Sequence, residues 1–219
     1  RGNPDCDLPC PVESLFDVDA VIVTHLHFDH FDEVAAKVLP KALTLFSQSE
    51  EEAQILRGMG FDDVRVLSGE GIAFDDVRLY RTKCDHGSSN LVTVDGYKDR
   101  GLTEKASGVV FESAAETERF YLAGDTIYCQ LVVDAVEKFK PGIVAVNAAG
   151  AQYPLGHLII MNQYDVRSLM RRFPTLKVIA THVEGVSHAT VNRPMLREFA
   201  KANQLDQLFV PNNGEVLEF

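Results

Sequence analysis

The sequence predicts an α/β sandwich with mixed connections rather than a simple doubly wound sheet. Three observations point there. Short β-branched apolar runs alternate with helical stretches at both ends of the chain, whereas the middle, from Val64 to Ala123, reads as strands joined by tight turns. The 219 residues are 46% hydrophobic and 24% charged, enough for a buried core and unlike a disordered or collagen-like chain. No repeat of fixed period and no linker interrupts the pattern, so residues 1–219 read as a single domain.

In chain order, Asp19–Thr24 is a short apolar run typical of a buried strand. Residues 31–39 predict a helix stopped by Pro40, and Thr44–Ser47 another strand. Ser49 with Glu52 is a capping box that opens a helix through Arg57, ended by Gly58 and Gly60. Val64–Leu67, Ile72–Phe74 and Val77–Lys83 predict strands, and 108–112 with 119–123 a hairpin around a polar turn. Alternation then resumes: a helix from Gln130 to about Lys140, a strand at Ile143–Asn147, a helix at Gln163–Arg172 and a strand at Lys177–Thr181. A last helix spans Arg193–Asn203, with Pro194 near its start, where the missing N–H costs nothing. Strands at 208–211 and 215–219 are expected to close the chain.

Charge and cysteines narrow the function. Lys+Arg 21 against Asp+Glu 32 gives a net −11, which repels phosphate backbones and disfavours a nucleic-acid partner. No apolar run approaches the ~18–20 residues of a membrane span, and no leader is visible, so no membrane partner is expected. Cysteines at 6, 10, 84 and 129 contain no C-x-x-C pair and read as reduced thiols in a cytoplasmic protein. The chain opens on Arg1 rather than Met, leaving room for residues ahead of it.

The chemistry concentrates in Thr24-His25-Leu26-His27-Phe28-Asp29-His30, directly after a predicted strand. With 7 histidines in 219 positions, a given histidine meets others at +2 and +5 about once in a thousand by composition. Imidazole nitrogens and a carboxylate are good ligands for divalent metals, and a turn after a strand projects them together. His86, Asp125 and His182 each follow another predicted strand, and strand ends converging on one edge are how open α/β sheets build sites. Gly124 permits the tight turn that Asp125 needs. Together these seven side chains could supply two metals sharing the Asp125 carboxylate.

The order H-x-H-x-D-H, a later His, Gly124-Asp125-Thr126 and a final His resembles the metallo-β-lactamase-fold hydrolases across almost the whole chain. Asn147-Ala148 and Thr181-His182-Val183-Glu184 look like the branch that contains ascorbate-6-phosphate lactonase. The resemblance implies a four-layer αββα sandwich with metals at the rim between two sheets. It implies His25, His27 and His86 on one ion, Asp29, His30 and His182 on the other, and Asp125 bridging. Family members begin with several strands before the H-x-H-x-D-H strand. Here only about two dozen loop-like residues precede it, so the fold is expected to extend before residue 1 or to lack N-terminal strands.

Two cations about 3.5–4 Å apart lower the pKa of water from 15.7 toward ~7 and polarise a carbonyl or phosphoryl oxygen. The expected activity is therefore hydrolysis of a lactone, ester or phosphoester by hydroxide activated at a dinuclear centre. Asp29 is the catalytic candidate that orients the hydroxide, and His188 a second candidate, for proton transfer. Glu184 and Asn147 are candidate substrate contacts. His157, beside an apolar run, reads as structural, and Tyr128 and Tyr153 as wall or core. Zn is the first choice of metal, with Mn or Fe as alternatives. A small-molecule substrate, anionic in one version, is the expected partner, and self-association into a homo-oligomer is left open. The alternatives are an iron-dependent oxidoreductase of dioxygenase type and a non-catalytic metal-binding protein. His27 stands where diiron flavoprotein relatives carry Glu, which counts against that oxidoreductase class.

Overall fold

The computed structural model describes residues 7–87, 106–152 and 157–219. Cys6 and Tyr153 lie outside them. A single 3-10 turn, Val12–Phe16, precedes strand β1 (Ala20–Val23). β1, β2 (Thr44–Ser47) and β3 (Asp63–Val66) pair in parallel in that order, joined by helices α1 (Glu33–Val38) and α2 (Glu50–Gly58). Both helices start on a side-chain cap, as the sequence predicts for the second: Asp32 accepts from Ala35 N–H at 2.7 Å and Ser49 from Glu52 N–H at 3.2 Å.

The second sheet is mixed, in the order β10-β9-β8-β7-β6-β5-β4. β4 (Ile72–Phe74), β5 (Val77–Lys83), β6 (Ser107–Ser113) and β7 (Phe120–Leu122) run antiparallel. β8 (Ile143–Asn147), β9 (Lys177–Thr181) and β10 (Leu208–Phe209) continue in parallel. Helices α3 (Gln130–Phe139), α4 (Gln163–Arg172) and α5 (Arg193–Asn203) alternate with these last strands. The antiparallel middle and parallel ends are the mixed connectivity that the sequence predicts.

Strand alternation sorts the apolar residues into layers. On β2, Leu45 joins Ala53, Leu56 and Val64 beneath α1 and α2, while its neighbour Phe46 points the other way, to Leu79 and Val109 of the second sheet. On β6, Val109 faces that inter-sheet layer and Val110 joins Val132, Val136, Leu169 and Leu196 beneath α3–α5. Helices, sheet, sheet and helices therefore stack as four layers. Among the described residues no helix is long and apolar enough to cross a membrane.

The expected strand at 215–219 does not form. Asn212 N–H donates to the Glu215 carboxylate at 2.7 Å and closes a turn there. Phe219 packs edge-on against Phe209, with ring centroids 4.9 Å apart. The tail thus covers a strand of two residues by side-chain contact instead of extending the ladder.

Candidate metal centre

The site sits where strands of both sheets end. β1 leads through Thr24 into His25, His27, Asp29 and His30; β5 leads to His86, β7 to Asp125 and β9 to His182. Gly124, at φ +71, makes the turn that sends Asp125 inward. His182 itself adopts φ +56, a conformation that costs an L-residue roughly 1–2 kcal/mol and aims its ring back toward the β1 loop.

Two sets of donor atoms result. His25, His27 and His86 form one, Asp29, His30, Asp125 and His182 the other, with the donor atoms of each set all within 4.8 Å of one another. His86 Nε2 lies 3.2 Å from His27 Nδ1, and His182 Nε2 lies 3.2 Å from His30 Nε2. Asp125 Oδ2 stands between the sets, 3.1 Å from His30 Nε2, 3.4 Å from His86 Nε2 and 3.8 Å from His25 Nε2. Asp29 Oδ2 is 3.5 Å from His182 Nε2 and 3.8 Å from His30 Nε2.

The donor set suits a divalent metal. His86 Nδ1 contacts the Ile159 carbonyl at 2.8 Å, and a carbonyl only accepts, so Nδ1 carries a proton and Nε2 is the ring nitrogen left to face the site as a ligand atom. His25 Nδ1 meets the Thr24 hydroxyl at 3.1 Å, which turns Nε2 inward. That Nε2 is buried in a fully buried side chain and makes no hydrogen bond, an arrangement a metal resolves.

The electrostatics agree. Burial, reinforced by the neighbouring His30, drives the His25 pKa well below the ordinary imidazole value. Burial and His86 push His27 down to about 4. Both rings are therefore neutral, as ligands must be. Burial opposes ionisation of Asp29, yet the His182 hydrogen bond and the His30 charge outweigh it and hold the carboxyl at about 2. Asp125 lies well below the usual range for the same reason, with His30 its strongest partner. His182 is raised: burial acts against its charge, but Asp29 and Asp125 prevail.

Residues 2–183 match the sequence profile of the beta-lactamase superfamily domain. The chain belongs to that superfamily. It is 36% identical to the UPF0173 protein YddR of Bacillus subtilis, over 99% of this chain and 83% of that protein. Among solved structures, an isothiocyanate hydrolase from Delia radicum gut bacteria is similar at TM-score 0.91 and 36% identity, over 100% of this chain and 85% of the other. A protein described as a "possible metal-dependent hydrolase" of Veillonella parvula matches at TM-score 0.90 and 32% identity, over 98% and 82%. The chain is thus a metal-dependent hydrolase of the beta-lactamase superfamily, with a metallo-β-lactamase fold.

All seven of this superfamily member's predicted ligands come together, but two other predicted site residues take different places. Glu184 is turned to α5: its carboxylate accepts from Arg193 N–H at 3.0 Å and pairs with the Arg193 guanidinium at 2.5 Å. Its geometry is that of a clamp on the start of α5. Asn147 is buried, and its amide donates to Asp125 Oδ1 at 2.5 Å, so it meets a site carboxylate instead of the cavity. His188 does line the inner cavity, alongside His27, His86, Asp125 and His182. His157 is exposed and outside both donor sets, in place of the structural position expected, and Tyr128 packs against the core. Two further groups, Thr24 and the Ile159 carbonyl, orient two of the histidines. Thr24 was visible as the residue before the motif, whereas nothing in the sequence marks the Ile159 contact.

Proposed function

We propose that the chain hydrolyses a small, uncharged electrophile carrying an apolar group, with isothiocyanates as the leading class. The observation that carries this is the cavity of about 400 Å³ beside the second donor set: Phe28, Ala35 and Val186 give it apolar walls, while Asp29, His30 and His182 form its reactive side. The inner cavity adds Ala151, Ile159 and Ile160. Among the described residues neither cavity is lined by lysine or arginine, which fits an uncharged substrate better than a phosphorylated one. The 36% identity to a protein named isothiocyanate hydrolase supports the same class.

His25, His27 and His86 would hold one divalent ion, and Asp29, His30 and His182 a second, with Asp125 shared. Two such ions, Zn first and Mn or Fe as alternatives, supply hydroxide at neutral pH and a Lewis acid for the electrophilic bond. Asp29, already ionised, orients the attacking water toward the substrate carbon. For R–N=C=S, one water adds: its oxygen bonds to the central carbon, its two protons end on nitrogen, and cleavage of C–N leaves R–NH2 and carbonyl sulfide. His188, on the inner cavity wall, delivers the proton to nitrogen as that bond breaks. Phe28 and Val186 seat the R group.

The test is turnover of allyl and phenethyl isothiocyanate by protein loaded separately with Zn, Mn and Fe, beside a lactone, a carboxylic ester, a phosphodiester and a phosphorylated-sugar lactone such as the resemblance implies. Amine release with kcat/KM at least ~10-fold above the other classes is expected, and Phe28→Ala should raise KM more than it lowers kcat. Turnover of a lactone or phosphoester with none of isothiocyanate overturns the substrate class. Oxygen uptake with the iron-loaded protein would instead favour the dioxygenase alternative.

A further inference from the structure

Asp125 has two oxygens with different surroundings. Oδ2 faces the imidazoles of His25, His30 and His86. Oδ1 faces away from them and receives the Asn147 amide at 2.5 Å. Asn147 Oδ1 in turn lies 2.8 Å from the Thr181 hydroxyl, which also lies 3.1 Å from the Val146 carbonyl. The backbone fixes this row: Asn147 and Thr181 are register partners on β8 and β9, and Ala148 N–H bonds to the Thr181 carbonyl at 3.0 Å.

Only one orientation of the amide satisfies every group. An ionised carboxylate only accepts, so the Asn147 NH2 must face Asp125, and its carbonyl oxygen must then face a donor. The Thr181 hydroxyl is that donor. Reversing the amide would set two acceptors 2.5 Å apart in a buried place where water cannot intervene, since Asn147 and Asp125 are 7% and 3% exposed.

We propose that Thr181 and Asn147 form a positioning relay that pins Asp125 Oδ1 and thereby commits Oδ2 alone to the metals. Neither residue touches substrate. The relay explains why position 147 carries an amide: Asp there would oppose a second carboxylate to Asp125, and an apolar residue would free the Asp125 side chain to rotate. Thr181 directly precedes His182, so the same strand end sets both the relay and a ligand. This inference rests on the reading that Asp125 holds metal.

The experiment measures Zn2+ and Mn2+ affinity by chelator competition, with metal-free thermal unfolding as the fold control. Asn147→Ala, Asn147→Asp and Thr181→Val should weaken metal binding about 10–100-fold, as loss of partners behind a ligand does elsewhere, and Thr181→Ser should restore affinity to within about twofold. Should Asn147→Ala fail to fold, Thr181→Val, nearly the same shape as threonine, carries the comparison. Wild-type affinity in both Asn147→Ala and Thr181→Val, or equal weakening in Thr181→Ser and Thr181→Val, overturns the relay. Asp125→Ala separates the two claims: full metal retention there refutes the ligand reading itself, whereas metal loss there with none in Asn147→Ala and Thr181→Val refutes only the relay.

Discussion

Gly124→Ala offers a sharp test of how the backbone delivers Asp125. At φ +71 an alanine pays roughly 1–2 kcal/mol for the left-handed conformation alone. The added Cβ would lie 2.4 Å from the Ser107 carbonyl oxygen and 3.2 Å from its carbon. Both are backbone atoms of β6, so no side chain can swing aside. Restoring an ordinary contact requires the two segments to separate by roughly 1 Å. The displacement reaches the site from both directions. Asp125 is the next residue, and the Ser107 hydroxyl donates to the Thr24 carbonyl at 3.1 Å, immediately before His25.

An Asp125 Oδ2 now 3.1 Å from His30 would then move by a distance that typically lowers turnover about 100-fold. The assay combines kcat/KM of the metal-loaded protein, metal stoichiometry by elemental analysis, and the rise in Tm on adding Zn2+. Gly58→Ala is the control, because Gly58 ends α2 and an added Cβ meets nothing within 4 Å. Gly124→Ala should bind less metal, show a smaller Tm rise and lose about 100-fold in kcat/KM, with Gly58→Ala close to wild type. Full metal content and activity within threefold in Gly124→Ala would refute the claim that this turn sets the ligand geometry.

Three further outcomes are expected. His25→Ala or Asp125→Ala should lose metal and activity together, and full metal content in either would show the ligand assignment to be wrong. Lowering pH should release metal unevenly: protons compete first at the set whose His182 is raised, and later at the set where His25 lies well below its ordinary value and His27 near 4. On the two-ion reading proposed above, elemental analysis at falling pH should therefore pass through a plateau of about one equivalent, and simultaneous release of both ions would contradict this order. Glu184→Gln should cost about 1 kcal/mol of stability through its half-exposed pair with Arg193 and leave kcat/KM within threefold, as read by denaturant unfolding and turnover; a large drop in turnover at unchanged stability would return Glu184 to the site.

The fold was legible in the sequence because its strands and helices are marked locally. Alternating Leu45 and Phe46 serve two different layers, Ser49 is both the predicted and the observed cap, and the hairpin of β6 and β7 follows its polar turn. The stretch 215–219 misled for an equally physical reason. Its apolar residues Val216, Leu217 and Phe219 are strand formers, but whether a strand forms depends on a neighbour with free edge groups, and here the contact is made by Phe219 against Phe209 instead.

Ligands and supporting residues differ in the same way. A ligand at a strand end is announced by its neighbours: a β-branched run, then His or Asp, with glycine where the turn demands it. What Asn147 and Glu184 do is decided by partners 22 and 9 residues away, Asp125 and Arg193. Their residue types fit a substrate contact as well as a structural one, and only the register of β8 against β9, or the positive φ of Glu184 at +64, decides between them. The consequence extends to the substrate. On the reading proposed above, the seven predicted ligands would specify a hydroxide-generating centre, whereas selectivity would lie with Phe28 and Val186 on the cavity wall, one embedded between two residues of the motif and the other four residues past His182. A search for what the chain acts on is therefore better directed at the size and polarity of these cavity walls than at the metal motif.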